Sequence, residues 1–214
     1  MINFEIKNQN GRSMIEMLGV LAIIGVLSVG GIAGYSKAMQ RYRINKAIEQ
    51  ITLIAGNIRS FFRGNYEDFN AANYMDIIKK AKLVPNEMWS DTAVSSSISG
   101  VSSNIINTFG GVVQIDYMPR EKDDYKAFHI TYTDIPDEIC IELIAQDWSI
   151  AGAKAIEINR TGYTEETEIA DYLLPVSIDK AINACETTRG TVPLIRFFFD
   201  INPTGEYWKT QNLQ

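Results

Sequence analysis

A single carboxylate, Glu16, lies at the start of a long uncharged segment. Of the residues in this segment, it is the one for which a positively charged partner matters most. The 20 residues 17–36 carry no charge, and about 20 apolar residues let a helix cross the ~30 Å hydrocarbon core of a bilayer. A charged side chain at the bilayer centre costs about 2.5–3.5 kcal/mol. Glu16 is therefore either a boundary residue in the headgroup layer, favoured by the helix N-terminus, or a residue that pairs with a positive charge.

Side chains that could carry catalysis or bind a metal are few. His129 is the only histidine, and no local motif supports a Ser-His-Asp triad or a histidine metal site around it. The stretch from Asp200 to Gly205 has oxygen side chains at alternate positions, as a calcium loop does, but a turn after a strand explains it as well. We predict that the chain is not an enzyme and binds no cofactor or metal.

The segment after the uncharged run predicts a continued, amphipathic helix. One apolar stripe recurs at spacings of 4, 3, 4, 3 and 4, which are helical spacings; its members are Ile44, Ile48, Ile51, Ala55, Ile58 and Phe62. The first proline is Pro85, so nothing breaks the helix earlier. We predict one helix over residues 13–62, with a transmembrane part over 12–36 and an amphipathic part over 37–63 that packs on a globular domain.

The sequence pattern of residues 64–214 predicts this globular domain, which we call the head. We expect helical pieces over 66–83 and a Ser- and Gly-rich surface loop over 92–104. We further expect strands at 112–117, 127–133, 155–159 and 194–200, and helices over 136–150 and 176–184. A long spine helix on antiparallel strands with small helices is an α+β roll. The head has 12 basic and 23 acidic residues, which argues against nucleic acid as a partner.

The N-terminal segment resembles the cleavage and assembly segment of type IV prepilins. That family is cut after a glycine, keeps a glutamate as the fifth residue of the mature chain, and continues as a long apolar helix. Gly11, Glu16 and residues 17–36 match this pattern. The chain departs from it at Arg12, the first residue of the mature chain, where the family usually has Phe, Met or Leu.

The resemblance implies a structural subunit that is made as a precursor. A membrane prepilin peptidase would remove the leader, residues 1–11, and methylate the new N-terminus at Arg12. Glu16 would pair with the amine of Arg12 on a neighbouring copy. The implied partners are other copies of the chain, the peptidase, an inner-membrane platform with its ATPase, and lipid before assembly. The head would lie in the periplasm of a bacterium first and on an extracellular pilus afterwards.

The order of elements resembles the type IVb branch, including conjugative-plasmid pilins, which share a Gly-Gly before a strand and a late cysteine pair. Cys140 and Cys185 are the only cysteines, and in an exported domain such a pair predicts a disulfide; two buried free thiols are the alternative. Gly30, Gly31 and Gly34 are expected either to let helices pack closely or to let this segment unwind in a filament.

Three alternatives stay open. The chain could be a minor pilin or a pseudopilin of a type II secretion system instead of a major pilin. A single-pass, membrane-anchored binding domain that never polymerises would also explain the apolar run, but it leaves Gly11 and Glu16 to chance. The positive-inside rule, applied to the basic residues after the run, favours a cytoplasmic head. We follow the resemblance instead, which places the head outside, because the cysteine pair also favours an exported domain. Adhesion, conjugation, motility and secretion are not distinguished.

Overall fold

The computed structural model describes residues 14–64, 73–119, 126–160, 170–186 and 193–201. The leader and Arg12 lie outside the described residues, as do most of the acidic stretch around residue 166 and the residues after 201. By its internal contacts the chain divides into two compact units, Met1–Tyr42 and Arg43–Gln214. The predicted boundaries at residues 11, 36 and 63 stay predictions.

The first element is a long helix, α1, over Met14–Phe62. Glu16 lies in its first turn and Arg59 in its last, which is the charge placement that the helix dipole favours. In the second unit, α1 buries a stripe formed by Ile44, Ala47, Gln50, Ile51, Ile54, Ala55, Ile58 and Phe62. The sequence pattern predicted this stripe without Ala47, Gln50 and Ile54, and Ile48 is only partly buried.

The head contains three further α-helices and seven strands among the described residues. The helices are α2 (Tyr74–Lys80), α3 (Asp137–Ile144) and α4 (Ile178–Glu186), and a 3-10 turn covers Asn86–Met88. The strands are β1 (Trp89–Ser95), β2 (Ser102–Ile105), β3 (Val113–Pro119), β4 (Lys126–Tyr132), β5 (Ala153–Arg160), β6 (Ala170–Leu173) and β7 (Pro193–Asp200).

Strands β1 and β2 form a two-stranded sheet, and the other five form a sheet of order β3-β4-β7-β5-β6. All described pairings are antiparallel, so one face of the larger sheet collects every second residue of each strand. Phe128 pairs with Phe199 and Ile130 with Phe197 on one such face. The sheet therefore presents a continuous aromatic and aliphatic surface to a covering element.

Helix α1 is that covering element within the second unit. Tyr132, on the same face, has its hydroxyl 3.5 Å from Oε1 of Gln50, and the guanidinium of Arg59 lies 5.2 Å from the centroid of the Phe199 ring. The buried apolar residues of α1 and most of those of the sheet belong to one hydrophobic cluster, which also contains Trp148 and both cysteines. The long N-terminal helix with antiparallel sheets and small helices confirms the predicted α+β class.

Local differences from the prediction have identifiable causes. The expected loop over residues 92–104 is too long: residues 92–95 and 102–104 belong to the paired strands β1 and β2, and only residues 96–101 connect them. Asn104 Nδ2 donates to the carbonyl of Ser90 at 3.3 Å. Small polar side chains on an exposed two-stranded ribbon have the composition of a loop. The helix expected to reach residue 150 ends at Ile144, and turns follow it. Strand β6 was not predicted, because four residues are too few to show an alternating pattern.

Candidate assembly site

The first unit presents an apolar helix surface with one acid at its beginning. Thirteen large apolar side chains between Met14 and Tyr35 are exposed, from 47% at Met17 to 87% at Met14. The part of α1 in this unit has the length and apolar composition to cross a membrane. Glu16 is exposed in the same turn as Met17. This surface is far more apolar than a soluble surface tolerates, and it needs lipid or other protein to cover it.

The three glycines singled out in this segment lie within the helix. Apart from the helix's own backbone, a Cβ at Gly30, Gly31 or Gly34 would meet no atom of the described residues within 4 Å, so no contact among those residues requires glycine there. The hydroxyl of Ser36 donates to the carbonyl of Ile32 at 3.0 Å, a back-bond that helices tolerate and that often bends them. A role for the glycines in packing or unwinding stays a prediction.

Cys140 and Cys185 form a disulfide that joins α3 to α4, with the two Cα atoms 5.9 Å apart. Both residues are buried. The bond closes a loop with a sequence separation of 45 residues, and the chain-entropy treatment assigns about 4 kcal/mol of stabilisation to a loop of that size. The alternative of two free thiols is absent from the structure, since neither cysteine is free.

Arg59 links the last turn of α1 to the turn before β5 by hydrogen bonds, a contact that no sequence pattern predicts. Its Nη2 donates to the carbonyl of Gly152 at 2.6 Å and to that of Ala151 at 3.2 Å. Burial lowers the pKa of the guanidinium, while the nearby Asp200 carboxylate acts to raise it. Gly152 has φ +79°, and a Cβ there would collide with the guanidinium. Glycine is therefore required at position 152 for two reasons: the backbone has a positive φ, and there is no room for a Cβ.

Asp134 holds the turn of the β1–β2 hairpin against the end of β4. Its carboxylate accepts hydrogen bonds from Ser96 Oγ at 2.7 Å, from the Ser97 amide at 3.0 Å and from Thr133 Oγ1 at 2.8 Å. Burial acts to raise the pKa of Asp134, but these hydrogen bonds outweigh it and the net shift is downward. The residue adopts φ 57°, a conformation that Asp tolerates better than most residues.

The lone histidine lies in strand β4. His129 pairs its Nε2 with Asp116 at 3.3 Å and its ring lies 5.5 Å from that of Phe198. Asp200 is buried and its carboxylate lies 3.6 Å from the ammonium of Lys154. In the described ranges, no three His, Cys, Asp or Glu side chains come together as a metal-binding group.

Two comparisons with known proteins agree with this arrangement. A family described as "PilS N terminal" matches residues 41–196. The fold is similar to that of the type IV b pilin from Salmonella typhi, with a TM-score of 0.50 at 18% identity over 72% of this chain and 97% of that chain. No curated protein sequence matches the chain. Since the family match covers well over half of the sequence, the chain belongs to the PilS family, and its fold is that of a type IVb pilin.

Proposed function

We propose that this pilin is made as a prepilin, is cleaved after Gly11, and polymerises through its N-terminal helix into a type IV pilus. The observation that carries the proposal is the exposed apolar surface of α1 between Met14 and Tyr35, with Glu16 as its one charge. The resemblance of the segment around Gly11 to prepilin cleavage sites supports the processing step.

The apolar surface sets the physical requirement. Burying one large apolar side chain is worth about 1.5–3 kcal/mol relative to water, so thirteen of them cannot stay in water without a large penalty. A bilayer satisfies this requirement before assembly, and neighbouring copies satisfy it in a filament. Because lipid tails are as apolar as leucine, moving the helix from lipid into a filament core gains little from burial. Another interaction must favour the filament, and Glu16 is the group in the segment that can supply it.

Glu16 would supply that interaction by pairing with the free α-amine of Arg12 on a neighbouring copy. Two opposite unit charges 4 Å apart attract by about 4 kcal/mol at an effective dielectric constant of 20. The cost of an unpaired carboxylate inside an apolar phase is about 2.5–3.5 kcal/mol. These magnitudes are similar, so a paired Glu16 is tolerated in a filament core and an unpaired one opposes assembly. Cleavage creates the amine, which would make processing a condition for polymerisation.

The same proposal accounts for the remaining partners. Prepilin peptidase would cut the leader and methylate Arg12, and an inner-membrane platform with an ATPase would extract the subunit from lipid. The head would lie outside the inner membrane before assembly and on the extracellular pilus after it. The disulfide between Cys140 and Cys185 supports export, because disulfides persist in oxidising compartments.

The experiment compares Glu16→Ala with Glu49→Ala in cells that lack the unmodified chain. These are the two acids of α1, and Glu49 makes only an exposed pair with Lys46 at 3.3 Å, which is worth little. We expect Glu16→Ala to accumulate in the membrane without filaments, and Glu49→Ala to give normal filaments in sheared fractions and electron micrographs. Normal filaments from Glu16→Ala would contradict the proposal. A lack of filaments even with the unmodified chain would favour the non-polymerising anchored domain.

A further inference from the structure

We propose that a cleft in the head binds a neutral, hydroxyl-rich ligand, a saccharide. The cleft has a volume of about 370 Å³ and lies between α2, the β1–β2 hairpin and the edge strand β3. That volume is within the range of small-ligand pockets, about 300–1,000 Å³. All of its lining residues belong to the second unit, so the inference concerns recognition by the head and is independent of polymerisation.

The cleft combines an aromatic surface with both donors and acceptors of hydrogen bonds. Trp89 is half-buried, and the ammonium of Lys79 lies 5.3 Å from the centroid of its ring. Lys79 and the amide of Gln114 supply donors, while the carboxylates of Asp76 and Asp116 supply acceptors. Within the part of the chain that the structure describes, the side chains of Asp76 and Gln114 have no hydrogen-bond or ion-pair partner. They are free to bind a ligand.

The charges of the cleft decide which ligand chemistry fits. Asp76 and Asp116 oppose an anion, and Lys79, already over the indole, opposes a second cation. A neutral ligand avoids both kinds of charge repulsion. It fits the cleft if it donates and accepts hydrogen bonds at several points and has an apolar face for an aromatic ring. Sugar hydroxyls each donate and accept, and the C–H face of a sugar ring is apolar. Tryptophan provides an apolar body next to a polar site, which suits such a face.

An extended peptide is the main alternative, because β3 is an edge strand of its sheet and such edges add strands. The structure disfavours this ligand at the centre of the edge. The hydroxyl of Tyr74 donates to the carbonyl of Ile115 at 2.9 Å, and it lies 3.4 Å from Oδ1 of Asp116. Burial, followed by the charge of Asp116, raises the pKa of Tyr74 to about 12, so the hydroxyl keeps its proton at physiological pH. One backbone acceptor that an added strand would need, the carbonyl of Ile115, is therefore occupied.

The test uses the full chain in micelles of a detergent without a sugar headgroup. Methyl glycosides of glucose, galactose, mannose and N-acetylglucosamine are each titrated and followed by saturation-transfer NMR, and a tetra-alanine peptide is titrated in parallel. We expect saturable binding of at least one glycoside. We expect the double variant Asp76→Asn plus Gln114→Ala to weaken it at least ~10-fold, the loss expected for about one hydrogen bond to a charged group.

The matched control is Glu138→Gln, an exposed acid outside the cleft, which should leave binding unchanged. Trp89→Ala should remove binding, with an unchanged far-ultraviolet circular dichroism spectrum as the check on folding. Binding of no glycoside, binding of the peptide alone, or glycoside binding that the double variant leaves intact would each overturn the inference. None of these outcomes depends on whether filaments form.

Discussion

Replacing Gly152 by alanine should destabilise the head more than the same change at any open glycine turn. Gly152 has φ +79°, and the added Cβ would collide with the guanidinium of Arg59. Gly100 offers a matched control, because it has φ +80° and a Cβ there would meet nothing within 4 Å. Both substitutions force alanine into a left-handed conformation, and only one of them displaces Arg59.

The magnitudes follow from these two contributions. A left-handed conformation costs a residue with a Cβ about 1–2 kcal/mol, and this cost applies to Gly100→Ala and Gly152→Ala alike. Displacing Arg59 also breaks the shorter of its two hydrogen bonds, the one to the carbonyl of Gly152 at 2.6 Å. Hydrogen bonds that involve a charged group are worth about 1.5–3 kcal/mol. We expect a total loss of about 3–5 kcal/mol for Gly152→Ala.

The assay is urea unfolding of the full chain in detergent, followed by near-ultraviolet circular dichroism, to which the buried Trp148 contributes. With a urea dependence of about 2 kcal/mol/M, the midpoint should fall by about 0.5–1 M for Gly100→Ala and by about 1.5–2.5 M for Gly152→Ala. In an Arg59→Met background, Gly152→Ala should cost only the backbone strain. Equal losses for the two glycine variants, or no relief in that background, would refute the reasoning.

Three further predictions concern other parts of the molecule. Replacing Cys140 and Cys185 by alanine should lower the free energy of unfolding by about 4 kcal/mol and make that free energy insensitive to reductant. Urea unfolding with and without reductant measures both effects. A variant that stays sensitive to reductant would contradict the pairing. The depressed pKa of Asp134 means that its contribution to stability is present above its unfolded-state pKa of about 3.9 and is lost as the pH falls through the lower folded-state pKa. Amide protection in the β1–β2 turn, measured by hydrogen exchange, should therefore fall at acid pH, and Asp134→Asn should remove that pH dependence. Gly30→Ala with Gly31→Ala should raise helix propensity by about 1 kcal/mol per residue and make filaments less extensible under force, and an unchanged force response would exclude the unwinding role.

Regular hydrophobic periodicity is what made the framework predictable from sequence. The helical spacing of the stripe from Ile44 to Phe62 locates the second part of α1, and Phe62 is fully buried at its end. The aromatic and β-branched segments at 127–133 and 194–200 became β4 and β7, the two strands that pair along the aromatic face. In each case burial of one face determines the pattern, so the pattern reveals the element.

The parts that escaped prediction depend on contacts between residues far apart in sequence. Arg59 and Gly152 are 93 positions apart, and neither residue type signals the other. The cleft combines Asp76, Trp89 and Gln114 from three separate elements, so no local motif could show it. The β1–β2 hairpin was misread because its exposed serines and glycine resemble a loop in composition.

The central claim is that the apolar surface of α1 between Met14 and Tyr35, exposed in the single chain, becomes buried between copies after the leader is removed. The most direct measurement is mass spectrometry of the N-terminal peptide from sheared, purified filaments. The account predicts a peptide that begins at Arg12, with Glu16 as its fifth residue. Recovery of the chain only as a membrane-bound monomer that still begins with Met1 would contradict it.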